Sequence, residues 1–139
     1  MARTVDEVMT HDPRTVSPGD TVHNAASEMR DADVGAVLVE DHGKLAGIVT
    51  DRDIVVRAVA DGADPDDVTV EQVYTRDPVT LTPDQPIREA VRFMREKNVR
   101  RVPVVQGGRP VGIVSLGDLA VELDEESALA DISSEMPNN

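Results

Sequence analysis

Two stretches of the chain, about 65 residues apart, place a hydroxyl three residues ahead of a carboxylate at the end of an apolar run. They are Gly47-Ile48-Val49-Thr50-Asp51-Arg52-Asp53 and Gly112-Ile113-Val114-Ser115-Leu116-Gly117-Asp118. Such a run reads as a buried strand entering a helix. The start of a helix leaves N–H groups unpaired and carries a partial positive charge, which suits an anion. Thr50 or Ser115 could add a donor to a phosphate, and Asp53 or Asp118 could accept two hydrogen bonds from a ribose diol. Arg52, inside the first motif, joins these candidate ligand contacts. The same spacing also resembles a capping box with Asp in place of Glu. On local spacing alone the cap is the commoner explanation, and a duplication would copy a cap as readily as a site.

The distribution of positive charge adds a second signal. Arg88, Arg92, Arg95, Lys97, Arg100, Arg101 and Arg109 hold half of the 14 basic residues. Arg88, Arg92 and Arg95 recur at helical spacing and are most simply a solvated face. Arg100 and Arg101 instead sit in a connection just before an apolar strand. Adjacent guanidiniums there repel unless a carboxylate of the chain or a bound phosphate lies near. The matching place in the first copy holds Gly35-Ala36, so two sites built on this plan should be unequal.

The motifs are positioned by an internal repeat. At the 65-residue offset, about 18 of roughly 50 aligned positions are identical, which implies two copies of one supersecondary unit, each too small to bury its apolar face alone. Val8-Met9-Thr10-His11-Asp12-Pro13 falls on Val73-Tyr74-Thr75-Arg76-Asp77-Pro78, and Thr15-Val16-Ser17-Pro18 on Thr80-Leu81-Thr82-Pro83. Within each unit a short extended piece (Thr15-Val16, Thr80-Leu81) precedes a helix. Val22, Ala25, Ala26 and Met29, and then Ile87, Ala90, Val91 and Met94, keep helical spacing. Pro86 predicts that the second of these helices starts near it, capped by Asp84 or Gln85, and the offset puts the first near Asp20-Thr21. Ala36 to Val39 with Leu45 to Val49, and Val102 to Val105 with Pro110 to Val114, read as hairpins around His42-Gly43 and Gly107-Gly108. A second helix starts at Thr50 and at Ser115. The expected organisation is a first unit over 1–62, a linker over 63–69, a second unit over 70–123 and an acidic tail over 124–139. Glu125 to Ile132 could extend the last helix, and Pro137-Asn138-Asn139 should fray.

Composition narrows the function classes. The net charge is −13, which argues against nucleic-acid or anionic-membrane binding. With no Cys, disulfides, cysteine–zinc sites and thiol catalysis are excluded. The N-terminal residues carry no apolar signal region and no run approaches a membrane span, so a cytoplasmic protein is expected. One Phe, one Tyr and no Trp require an aliphatic core. The only histidines, His11, His23 and His42, do not recur in the second copy and have no spacing that gathers them with a serine or around a metal, so neither catalytic nor metal-binding residues are assigned.

The order of these marks, duplicated over roughly Thr4 to Leu123, resembles the CBS-domain family in its tandem-pair form. The resemblance implies an α+β (α/β-like) fold of two βαββα units packed sheet to sheet with pseudo-twofold symmetry, and a homodimer of such pairs. It implies clefts for an adenosine-type ligand such as AMP, ADP, ATP or S-adenosylmethionine, with no cofactor required. It implies phosphate and ribose contacts from Thr50, Asp53, Ser115 and Asp118, a base pocket at Thr15-Val16 and Thr80-Leu81, and phosphate contacts from Arg100 and Arg101. The function expected is a regulatory or sensor module, not an enzyme, acting through a protein partner or a dimer rearrangement. The alternative is a structural or stress-associated oligomer with non-functional clefts.

Overall fold

In the computed structural model, residues 3–124 are described. A helical turn α1 (Val5–Val8) and a short strand β1 (Thr10–His11) lead into β2 (Thr15–Val16), α2 (Val22–Ala32), a hairpin of β3 (Ala36–Asp41) and β4 (Lys44–Thr50), and α3 (Asp51–Ile54), which runs on as a π-helical turn over Val55–Val59. The second copy repeats this with a 3₁₀ turn (Val70–Gln72), β5 (Thr75–Arg76), α4 (Ile87–Lys97), β6 (Arg101–Gln106) and β7 (Arg109–Ser115), followed by helix α5 over residues 116–124. The possible helix over Glu125 to Ile132 and the fraying of Pro137-Asn138-Asn139 lie outside the described residues.

Local chemistry explains the boundaries. The Thr21 hydroxyl accepts from the Asn24 N–H at 3.0 Å and caps α2, and α2 and α4 both end on a left-handed residue, Asp33 and Asn98, a conformation that short polar side chains tolerate. Both hairpins turn on two residues with positive φ, His42-Gly43 and Gly107-Gly108, whose twist matches the flanking strands. The cap expected at Asp84 or Gln85 is not where α4 starts. Pro86 occupies the N-cap without a side-chain bond, Gln85 accepts from the Thr82 N–H and Asp84 from the Thr82 hydroxyl, and the Ile87 N–H donates to the Arg3 carbonyl at 2.9 Å. The helix start is thus satisfied by backbone from the far end of the chain. The same happens at α2, where Val22 N–H donates to Val68 O at 2.8 Å.

This is part of a reciprocal exchange. The sheets run β2-β3-β4-β5 and β1-β7-β6. β5, from the second repeat, pairs with β4 of the first, and β1, from the first repeat, pairs with β7 of the second. The cores follow. Val70, Val73 and Tyr74 join the first-unit core of Val16, Val22, Met29 and Val49, while Val5 and Met9 join the second-unit core of Ile87, Met94 and Val104. Met29 and Met94 are core residues, as their matched apolar positions suggest. Between the sheets Ala36, Leu38 and Ile48 form a third apolar cluster, with Ile113 packed against it. The extended piece at Thr80-Leu81 shrinks to one bridge, Leu81 to Val104. Its counterpart keeps a bond from Leu38 N–H to Arg14 O, but Leu38 is matched by Pro103, which has no N–H to donate.

Gly47 and Gly112 permit the exchange. A Cβ on Gly47 would collide with the Thr75 carbonyl oxygen and the Tyr74 ring, and one on Gly112 with the Met9 sulfur. Gly47→Ala is therefore expected to destabilise by about 1–3 kcal/mol, because the obstacle includes backbone. Gly19→Ala, where nothing lies within 4 Å, should be nearly neutral. Urea unfolding of the two variants checks this, and equal midpoints would refute the close-approach account.

Candidate ligand cleft

The two hydroxyl–carboxylate motifs fold alike and then diverge. In the first copy the capping box is complete: Thr50 Oγ1 accepts from Asp53 N–H at 3.1 Å, and Asp53 Oδ2 accepts from Thr50 N–H at 3.0 Å. Asp53 also faces Arg57 Nε at 4.0 Å, and its side chain is 13% exposed. Arg57 in turn donates to Val73 O at 3.1 Å, on the exchanged segment. In the second copy only half of the box forms, with Asp118 N–H donating to Ser115 Oγ at 3.1 Å. Among the described residues the Asp118 carboxylate has no hydrogen bond or ion pair, and it is exposed. The repeat offset explains the difference: the residue matching Arg57 is Glu122, a like charge four positions along the helix, which pairs instead with Arg3.

Asp118 lines a cleft of about 160 Å³ with Ser115, Arg101, Thr10, Gly35 and Ala36. Ser115 ends β7 and is the cross-strand partner of Arg101, which starts β6. Thr10 arrives through the exchange of β1 onto β7. A second depression of about 170 Å³ shares Thr10, Val34, Ala36 and Ile113 and adds Asp12, Pro13 and Arg14. Each alone is smaller than a ligand pocket of roughly 300 Å³, but the shared walls make them one groove with an apolar floor and a polar rim. Arg101 Nη1 lies 3.2 Å from Gly35 O and 3.6 Å from Asp51 Oδ1. Of the two anions considered for the Arg100-Arg101 pair, the chain supplies a carboxylate, Asp51.

The remaining candidate residues are placed elsewhere. Val16 and Leu81 are buried in the two cores. Thr15, with Val16, borders a separate depression next to Ser17, Glu40 and His42, at the hairpin end of β3. Thr80 is half-buried beside Leu81, and Arg52 and Arg100 are exposed. The Arg100 carbonyl accepts from Leu116 N–H at 2.7 Å, which fixes the entry to α5. Sequence reasoning missed Thr10, Asp12 to Arg14 and Asp51. Thr10 had a signal, its recurrence as Thr75, but only the strand exchange brings it to Ser115. His11 contacts Asp6 O, His23 lies 2.6 Å from Asp66 and His42 lies 3.5 Å from Asp41, all outside this groove. Among the described residues no group of three or more His, Cys, Asp and Glu could hold a metal, and no helix is long and apolar enough to cross a membrane.

Comparison with known proteins agrees with this architecture. The CBS domain family model matches residues 5–59 and 70–125, and the chain belongs to the CBS-domain family, whose members are regulatory and binding modules. It is a tandem pair. It is 41% identical over 125 residues to the CBS domain-containing protein YhcV of Bacillus subtilis, covering 89% of each chain. It is similar to the crystal structure of Hypoxic Response Protein I with two coordinated zinc ions, at 35% identity and a TM-score of 0.76, covering 86% of this chain and 98% of that one. It also resembles the CBS domain pair of protein MJ0100 in complex with 5-methylthioadenosine and S-adenosyl-L-methionine, at 27% identity and a TM-score of 0.79, covering 91% and 99%.

The unequal motifs make a stability prediction. Asp53→Ala removes a buried-side cap and should cost about 1 kcal/mol, whereas Asp118→Asn should stay within about 0.5 kcal/mol of wild type. Denaturant titration measures both, and a large loss in Asp118→Asn would show that its carboxylate has a structural partner.

Proposed function

We propose that the chain is a non-catalytic sensor module and that the Ser115–Asp118–Arg101 cleft binds an adenosine-type ligand, AMP, ADP, ATP or S-adenosylmethionine. The observation that carries this reading is the uncommitted Asp118 carboxylate beside Ser115 and Arg101, when its repeat counterpart is spent on a cap. Asp118 would accept from the ribose diol. Ser115 Oγ already accepts from a backbone N–H, which leaves its own O–H to donate to a phosphate. Arg101 would supply charge, and Val34, Ala36 and Ile113 an apolar wall for the base. The MJ0100 pair, which holds two adenosine compounds, supports the ligand class. Thr50, Arg52, Asp53 and Thr80 are proposed as a weaker second site. The proposed setting is cytoplasmic.

Ligand occupancy would be read through a homodimer or a protein partner. Val55, Val56 and Val59 on the α3 side and Val121 on α5 are 49–56% exposed, and Val56 and Val121 are repeat equivalents. Exposed large apolar side chains of this kind are candidate contact residues. They also favour the second reading, a structural oligomer with idle clefts.

Thermal melts with each ligand at millimolar concentration separate the two. At about 100 times its dissociation constant a ligand adds about 2.7 kcal/mol, a shift of several degrees. The sensor reading expects a selective shift that Asp118→Ala abolishes and Asp53→Ala retains; no shift with any ligand favours the structural oligomer. Sedimentation of Val56→Asp should show a smaller species than wild type, and an unchanged species would remove the exposed valines as the dimer contact.

A further inference from the structure

The ion pair between Arg101 and Asp51 crosses from the second unit to the first. Arg101 lines the cleft together with Ser115, Asp118 and Thr10. Gly35 leaves room for the pair: a Cβ there would fall 2.6 Å from Arg101 Nη2 and 3.0 Å from Asp51 Oδ2, and the guanidinium would have to shift from its place across the start of β3. The pair exists on one side of the pseudo-twofold axis alone. At the 65-residue offset Arg101 corresponds to Ala36, Asp51 to Leu116 and Gly35 to Arg100, none of which can rebuild it. Among the described residues the Asp51 carboxylate makes one other bond, accepting from the Arg52 N–H at 2.8 Å. Its carboxylate is not part of the Thr50–Asp53 cap.

We propose that Asp51 is an internal competitor for Arg101, occupying the guanidinium that an anionic ligand in the Ser115–Asp118 cleft must recruit. This rests on the ligand reading proposed above and adds its regulation. The Asp51 and Arg101 side chains are 63% and 39% exposed, so the pair is weak and exchanges partners readily. A phosphate entering the cleft takes Arg101 from Asp51 and loosens a tie between the two units, which links occupancy to their relative seating.

Calorimetric titration of the full chain with ATP, and with adenosine as an uncharged control, tests this. Asp51→Asn should tighten ATP about two- to fivefold, the range expected of an exposed pair, and leave adenosine unchanged. In an Arg101→Ala background the same substitution should give no gain. Unchanged or weaker ATP binding in Asp51→Asn, or an equal gain without Arg101, overturns the competition while leaving the ligand reading intact. ATP binding by Asp51→Asn where wild type shows none supports it. No ATP binding by either also overturns it, and the ligand reading then stands or falls on AMP, ADP and S-adenosylmethionine.

Discussion

The structure depends on the exchange of the two leading segments. Neither repeat encloses its own core. Residues 3–11 pack under β7 and residues 68–76 under β4, and each segment supplies a strand, buried side chains and the carbonyl that satisfies a helix start. The exchange requires backbone to approach backbone at Gly47 and Gly112, where any Cβ would meet the incoming segment. A half-chain would leave one edge of its sheet unpaired and part of its core open, so the pair is a single cooperative object.

The cleft is a consequence of that exchange. Thr10 lies beside Ser115 only because β1 joins β7. The groove floor of Val34, Ala36 and Ile113 draws on both units because the sheets meet at Ala36, Leu38 and Ile48. Within this near-symmetric frame a few substitutions decide which motif is available. Arg57 faces the capped Asp53, while Glu122 at the matching place carries the same charge as Asp118 and pairs with Arg3. Arg101 reaches Gly35 and Asp51, whereas Ala36 at its matching place reaches nothing charged. A duplicated scaffold thus carries one closed motif and one open one.

The capping box and the open carboxylate, two outcomes of the same spacing, are divided between the copies. Thr50-x-x-Asp53 is a cap. Ser115-x-x-Asp118 is half a cap with a free carboxylate. Spacing is identical in the two, so it could not distinguish them. The discriminating residue was present four positions further on, in the sign of the charge at Arg57 and Glu122.

Fold class, duplication, the order of elements and the hairpin turns were legible in the chain alone, because they follow from periodicity, turn chemistry and self-similarity, which are local or repeat at a fixed offset. The contrast expected between Gly35-Ala36 and Arg100-Arg101 takes another form, because Gly35, Ala36 and Arg101 line one and the same cleft. The cap of α4 was not legible, although its start near Pro86 was, because Arg3 satisfies the first N–H from 84 positions away in sequence. Nor was the placement of Val16 and Leu81, whose apolar side chains turn into the cores when their short strands pair with β3 and β6. The strand exchange, and with it Thr10 in the cleft and Asp51 against Arg101, was decided by tertiary structure alone: a strand that pairs with a distant hairpin carries the same local pattern as one that pairs with its neighbour.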